Sequence, residues 1–446
     1  MTAPRPPRIL VVGSGYVGMY TALRLQSKLR DGEASVTVVD PQSYMTYQPF
    51  LPEAAAGNLE PRHVVVPLRR VLPKVELLNG RVVRVDHARR VARFAPLTGA
   101  ERDLSYEVLV VAPGSVSRTL PIPGLAEHGI GFKTVAEAIY LRNHILEKLD
   151  IAASATDPEL RRRALTFLFI GGGYAGVEAL AELEDMARDA AEYYPTVSAE
   201  DMRWVLVEAA GRILPEVGAD LGDYTVAELR ERGIEVLLRT RVESLEDGHV
   251  VLDNGDAFDA ETIVWTAGVK PNPLVANTDL PLDEKGRVKA TEFLTVDGVD
   301  GAWSAGDCAA VPDLTKGPGA LCGPSAQHAV RQAKRLADNL VATLRGQPMR
   351  PYAHEYAGSV ASLGLHKGVA QVYGVKLRGW PAWFMHRTYH LSRVPTLNRK
   401  ARVVADWTLA LFFKREIVSL GSLHDPREEF ELATHPTAAL QPAHAG

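Results

Sequence analysis

The sequence predicts an α/β protein of two Rossmann-like units followed by a C-terminal segment of different character. Three observations carry this. A glycine-rich loop, Gly13-Ser-Gly15-Tyr16-Val17-Gly18, follows a short apolar run and precedes a helical pattern. The same arrangement returns at Gly171-Gly-Gly173-Tyr174-Ala-Gly176. From Pro351 onward, alternating strand and helix patterns give way to aromatic residues set among basic ones.

The first unit opens with a strand over Arg8 to Gly13, a helix over Val17 to Leu29, and a strand over Val36 to Val39 that ends at Asp40. The three glycines act differently. The first permits a tight turn, the second lets backbone approach a pyrophosphate, and the third lets helix pack on strand. The helix N-terminus then presents its partial positive charge to the phosphates. Asp40 follows Gly18 by close to the ~20 residues expected for an acid that accepts from a ribose 2′-hydroxyl. Tyr47 to Gly57 carries prolines that are expected to break regular structure, and the stretch is expected to pass over the bound dinucleotide. Val75 to Val85 and Arg90 to Phe94 read as antiparallel strands. Tyr106 to Ala112 reads as a buried strand stopping at Pro113-Gly114, where a glycine suits either close backbone approach to a ligand or a plain strand-end turn. Leu125 to Lys148 reads as one helix. Asp157-Pro158 and the solvated run Arg161-Arg162-Arg163 mark the crossing into the second unit.

That unit begins with a strand over Ala164 to Ile170 and a helix over Val177 to Ala191. The helix carries Glu182, Glu184, Asp185, Arg188 and Asp189, a polar set expected to be partly exposed. Trp204 to Val207 is the next strand and ends at Glu208. The longer spacing from Gly176 is absorbed by the helix and a turn at Tyr193-Tyr194-Pro195. An acid here accepts from a 2′-hydroxyl and repels a 2′-phosphate, which favours NAD over NADP, although Arg212 lies four residues on. A helix over Leu221 to Arg232, a strand over Glu235 to Leu238, a hairpin over Val250 to Phe258 and a strand over Thr262 to Trp265 follow. Thr266-Ala-Gly268 then echoes Ala112-Pro-Gly114. Gly301 to Cys308 is a strand running into Gly306-Asp307, where an aspartate can bond a ribityl hydroxyl. Ser325 to Arg335 begins a helix on which Gln327 and Arg331 fall near one another, as do His328 and Gln332.

Past Pro351, strands are read over Ser359 to Gly364 and Val369 to Tyr373. Trp380, Trp383, Phe384, Trp407, Phe412 and Phe413 then lie among Arg387, Arg393, Arg399, Lys400, Arg402, Lys414 and Arg415. This pattern suits a helix lying in a membrane surface; a core helix or a dimer interface would produce it too. The tail after Glu431 is expected to be disordered.

Composition narrows the function. The chain is 446 residues long, enough for two or three domains. Its hydrophobic content of 46% supports a sizeable core, and its net charge of −4 argues against nucleic acid as a partner. Cys308 and Cys322 form no tight redox pair and no zinc cluster by themselves, so no metal is expected and a reducing compartment is the simple reading. The N-terminus has no apolar signal segment, and no run of 18 apolar residues occurs. Peripheral membrane attachment stays open.

These motifs together resemble the type II NADH:quinone oxidoreductases, single-subunit, non-pumping respiratory flavoenzymes of the two-dinucleotide flavoprotein superfamily. The likeness rests on both glycine loops, Tyr47-Gln-Pro-Phe-Leu, Thr266-Ala-Gly268, Ala305-Gly-Asp307, Ala326-Gln-x-Ala-x-x-Gln332 and the C-terminal aromatic-basic segment. It implies FAD in the first unit, NADH in the second, and a quinone arriving from the membrane. It divides the chain into an FAD-binding domain at 1–155 and 281–350, an NADH-binding domain at 156–280, and a C-terminal interface or membrane-associating domain at 351–446. Glu178, Gln327 and Gln332 match the catalytic positions: Glu178 near flavin and nicotinamide, the glutamines at the quinone. Their plainer roles would be an exposed helix-start charge and helix-surface contacts. The cofactor-binding positions are Gly13, Gly15, Tyr16, Val17, Gly18, Asp40, Pro49, Val83, Ala112, Gly114, Gly171, Gly173, Tyr174, Gly176, Glu178, Glu208, Gly268, Gly306, Asp307, Ala326 and Gln327. Tyr174-Ala175 replaces the family's usual Pro-Thr, and Ala112-Pro-Gly114 its Ala-Thr-Gly. Tyr174 is thereby placed to cover the nicotinamide or to block part of its site. The expected location is peripheral, on the cytoplasmic face of the cell membrane, with a homodimer possible. Competing readings are a soluble ferredoxin, sulfide or disulfide reductase, a flavin-bound NADH sensor, or a tailoring oxidase.

Overall fold

The computed structural model describes residues 6–355, 358–421 and 427. The Ala/Pro/His-rich tail after Glu431 lies outside them. Two parallel sheets organise the chain. In the first, the order is Ala302–Ser304, Val108–Val111, Arg8–Val12, Ser35–Asp40, Glu76–Asp86, Val91–Pro96 and Arg102–Ser105. The first five run parallel and the last two return antiparallel. In the second, all five are parallel: Gly129–Gly131, Thr262–Trp265, Thr166–Ile170, Arg203–Glu208 and Glu235–Leu238. Strands buried on both faces read as continuous apolar runs, as Leu10 to Val12 and Phe167 to Ile170 do.

In each sheet the strand feeding the glycine loop has parallel neighbours on both sides. Each loop therefore sits where successive connections leave toward opposite sides, the crevice in which such sheets bind ligands. The late strand Ala302–Ser304 returns to the first sheet and brings Gly306-Asp307 to the end of Val108–Val111. The strand ends beyond Gly114 and Gly268 continue into Ser115–Ser117 and Val269–Pro271, which pair antiparallel and tie the two sheets together.

Three expectations need correction. Tyr47 to Gly57 is regular: a short 3-10 turn over Gln48–Phe50 runs into a helix over Leu51–Ala55. Pro49 and Pro52 sit in first-turn positions, where proline's missing N–H costs nothing. Leu125 to Lys148 is not one helix. It divides into Leu125–His128, a strand Gly129–Gly131 that joins the second sheet, and a helix Val135–Ser154. That helix starts at a capping box: the Thr134 hydroxyl accepts from the Glu137 N–H, and the Glu137 carboxylate accepts from the Thr134 N–H. Glu182 and Glu184 are only 1% and 2% exposed, because Ser362 and Arg415 of the C-terminal segment close over Glu182 and Arg232 pairs with Glu184.

The C-terminal module is a three-stranded antiparallel sheet, Gly358–Ser362, Gly368–Val372 and Val375–Arg378, followed by helices Gly379–Arg393 and Leu397–Phe412. Its aromatic and basic residues divide. Trp383, Arg387 and the Arg415 side chain are buried, and Trp407 is half-buried. Trp380, Phe384, Leu397, Leu409, Leu411, Phe412 and Phe413 are each more than half exposed. Among the described residues no helix is long and apolar enough to cross a membrane.

Candidate active site

The two glycine loops repeat one another closely. The Gly13 N–H donates to the Val39 carbonyl and the Gly171 N–H to the Val207 carbonyl, both at 2.9 Å. A Cβ on Gly18 would stand 1.8 Å from the Gly13 oxygen, and one on Gly176 would stand 2.0 Å from the Gly171 oxygen. Only glycine lets each helix seat against its loop. At Gly15 and Gly173 a Cβ would meet no atom within 4 Å. That space lies at each helix N-terminus, where a pyrophosphate needs bare backbone. Tyr16 and Tyr174 each begin their helix and pack against the main apolar cluster.

Each loop is braced by the acid at the next strand end. The Asp40 carboxylate accepts the N–H groups of Ser14 and Gln42, both at 2.7 Å. The Glu208 carboxylate accepts those of Gly172 and Ala210, both at 2.6 Å. Burial raises the Asp40 carboxyl above its ordinary value, against the pull of its two N–H donors. The open backbone at Gly15 and Gly173, with one ribose-competent acid beside each, fits two dinucleotides.

Between the sheets, the Asp307 carboxylate accepts from the Ser115 hydroxyl at 2.7 Å, and the Ser115 oxygen accepts from the Lys133 ammonium at 2.8 Å. Burial lowers the Lys133 pKa. Gly306 abuts Val17 of the first loop helix, where a Cβ would lie 2.7 Å from its methyl. The buried Gln332 accepts the Gly306 N–H at 2.8 Å and so holds the Gly-Asp turn. Gln327, half-buried in the first turn of the same helix, donates to the Gly358 carbonyl at 3.0 Å, and its oxygen lies 3.2 Å from His354 Nε2. Ala326, beside it, is exposed. Ala112 is buried and Gly114 and Gly268 take positive φ with open space beyond, so backbone lines the crevice at both strand ends. Pro49 lies half-buried beside Phe50. Val83 is half-buried where the Glu76–Asp86 strand slips register against Val91–Pro96.

Glu178 is buried, not an exposed helix start. Its Oε1 accepts the Ser362 N–H at 2.9 Å and lies 3.2 Å from His386 Nε2. Burial pushes its carboxyl up to about 8 and pushes His386 down to about 3. At neutral pH the contact is therefore a hydrogen bond between neutral groups, with the proton on Glu178. One turn on, Glu182 accepts from the Ser362 hydroxyl and from Asn58 Nδ2, and burial raises its pKa as well. Glu53, 2% exposed, pairs with Arg387 at 2.8 Å and accepts from Trp407 Nε1 at 2.8 Å. The Arg387 guanidinium lies over both Trp383 and Trp407. Sequence reasoning singled out Glu178, whereas no local spacing singles out Lys133, Ser115, Glu53 and His386, which only the fold brings to these positions.

Fold and site define a flavoprotein reductase with two dinucleotide sites. Residues 7–333 match the family described as pyridine nucleotide-disulphide oxidoreductases. The type II NADH:quinone oxidoreductase of Staphylococcus aureus is 32% identical over 85% of this chain and 93% of its own. That of Mycobacterium tuberculosis is 28% identical over 92% and 89%. The structure of NDH2 from Plasmodium falciparum in complex with NADH superposes with a TM-score of 0.86 at 18% identity, covering 93% of this chain and all of that one. The chain belongs to the type II NADH:quinone oxidoreductases.

Proposed function

We propose that this chain oxidises NADH and reduces a membrane quinone, with FAD on the first unit and NADH on the second. The carrying observation is the doubled loop: two bare glycine positions at helix N-termini, each with one braced acid, on sheets joined through Ser115–Ser117 and Val269–Pro271. When bound, FAD supplies the two-electron chemistry that links a hydride donor to a quinone acceptor. The protein's residues hold and shield the partners. Asp40 and Asp307 hold FAD, and Glu208 holds the adenosine ribose of NADH. Glu178 retains a proton at neutral pH beside the second loop, where a neutral acid can donate. Lys133, with its hydrogen bond to Ser115, sets the charge near Asp307. Gln327 meets the quinone, while Gln332 acts behind it by fixing the Gly306 turn. Across a turnover NADH and one proton give up two electrons and two protons to the quinone.

The exposed apolar residues of the last helix, with exposed Arg393 and Arg402 in the same C-terminal segment and Lys414 paired to Glu192, support peripheral attachment to an anionic bilayer on the side facing the NADH pool. The exposed arginines favour lipid headgroups over a second copy of the chain. Anaerobic mixing tests the central reading. NADH should bleach the flavin absorbance and a quinone analogue should restore it; flavin that stays yellow with NADH rejects the proposal.

A further inference from the structure

Asp313, Cys322 and His328 carry no role in the site above, although Cys322 bonds the Gln332 side chain and His328 follows Gln327, and the fold brings the three together. After the strand Ala309–Ala310 the chain turns outward and returns through a bridge between Pro312 and Leu321. The Asp313 N–H donates to the Ala320 carbonyl at 2.8 Å and the Cys322 N–H to the Val311 carbonyl at 2.9 Å. Ser325 then caps the Ala326–Leu344 helix by accepting the His328 N–H at 3.1 Å, which sets His328 in the first turn. A pinned hairpin and a capped helix start thus converge. One potential ligand atom from each of the three residues lies within 4.8 Å of the others, and the residues are 4%, 7% and 7% exposed. Among the described residues this is the one such group.

We propose that these three side chains form a zinc site. A thiolate, an imidazole and a carboxylate are a borderline-soft set that selects zinc over magnesium or calcium. Zinc bonds of about 2.0–2.3 Å place tetrahedral ligand atoms about 3.3–3.7 Å apart, so side-chain adjustment of about 1 Å closes the trio. The backbone does not have to move. The His328 ring is already steadied by a 2.8 Å contact between Nδ1 and the Tyr352 hydroxyl. The buried Asp313 carboxylate meets Lys316 at 3.2 Å, a side chain 63% exposed that can swing into solvent when a divalent cation takes its place. Water or a small anion completes the fourth position, as in other three-ligand zinc sites. Binding releases the Cys322 thiol proton and involves no electron transfer. Bound zinc ties the Pro312–Cys322 hairpin to the helix that carries Gln327 and Gln332.

The test uses the full flavin-loaded chain, stripped with EDTA and given one equivalent of zinc chloride. X-ray absorption should show a single sulfur neighbour at about 2.3 Å with nitrogen and oxygen at about 2.0–2.2 Å. Cys322→Ser should lose the sulfur neighbour, whereas Cys308→Ser should keep it. His328→Ala should weaken zinc in competition with a chromophoric chelator by more than the about 10–100-fold that outer-shell changes cost. Flavin absorbance per chain verifies that each variant is folded. Wild type without a sulfur neighbour, a sulfur neighbour that survives Cys322→Ser, or unchanged affinity in folded His328→Ala overturns the assignment.

Discussion

Glu178→Gln removes an ionisable group from an enclosed position while keeping its shape. Burial holds the carboxyl at about 8 in the folded chain, against 4.5 when exposed. The folded state therefore binds one proton more than the unfolded state between those values, and stability falls as pH rises. The contribution of Glu178 is fully present below 4.5, declines through the window, and is lost above about 8. At about 1.4 kcal/mol per pH unit the loss is on the order of 5 kcal/mol. His386, pushed down to about 3 by burial and by the neighbouring Arg387, is neutral when folded but protonated when unfolded below 6.5, so it opposes this slope at the acid end of the window; it is present in wild type and variant alike, and the difference between the two reports Glu178. Glutamine keeps an acceptor for the Ser362 N–H and ionises at no pH. Thermal midpoints of flavin-loaded wild type and variant, measured in parallel from about pH 5 to about pH 9, should diverge in favour of the variant as pH rises and then run parallel above about 8. The variant should also keep its flavin but turn over more slowly with NADH and quinone. Identical pH slopes for the two proteins would refute a buried, protonated Glu178.

Four further outcomes follow from the same geometry. Gly18→Ala should fold poorly and hold little flavin, because its Cβ collides with the Gly13 carbonyl; Gly15→Ala should fold but retain flavin weakly, since its Cβ meets ligand space alone, and a cooperative thermal unfolding transition of the flavin-free protein distinguishes them. Glu208→Ala should erode the preference for NADH over NADPH about 10–100-fold in kcat/KM, the worth of a hydrogen bond to a charged group; an unchanged ratio would remove Glu208 from the ribose. Glu53→Gln strands Arg387 beneath Trp383 and Trp407 and should destabilise by about 3–5 kcal/mol in urea unfolding. Serine at Leu409, Leu411, Phe412 and Phe413 should abolish flotation with anionic vesicles without loss of flavin, and unchanged flotation would contradict the membrane face.

The parts of the fold legible in the sequence are those that local chemistry specifies. Both glycine loops, Asp40, Glu208 and the strands around them answer to backbone sterics and to short-range hydrogen bonds. The remainder depends on distant partners. Gly129–Gly131 looks helical in isolation and becomes a strand because Thr262–Trp265 offers an open edge; the capping pair Thr134 and Glu137 is the local signal that a new helix starts there. Glu182 and Glu184 sit on a helix with a polar stripe, which reads as exposed until Ser362, Arg232 and the C-terminal helices close over it. Arg387 and Trp407 read as surface residues until Glu53 accepts from both. The same holds for Asp313, Cys322 and His328, whose convergence exists only once the hairpin bridges and the helix is capped.

The central claim is best tested by quinone-linked NADH oxidation by the flavin-loaded protein, followed with and without anionic vesicles and compared with NADPH. The two glycine loops and Glu208 predict that NADH is consumed mole for mole with quinone, that NADPH is oxidised far more slowly, and that vesicles carrying the quinone raise the rate. A flavin-loaded protein that oxidises NADH with no menaquinone or ubiquinone analogue would contradict the account.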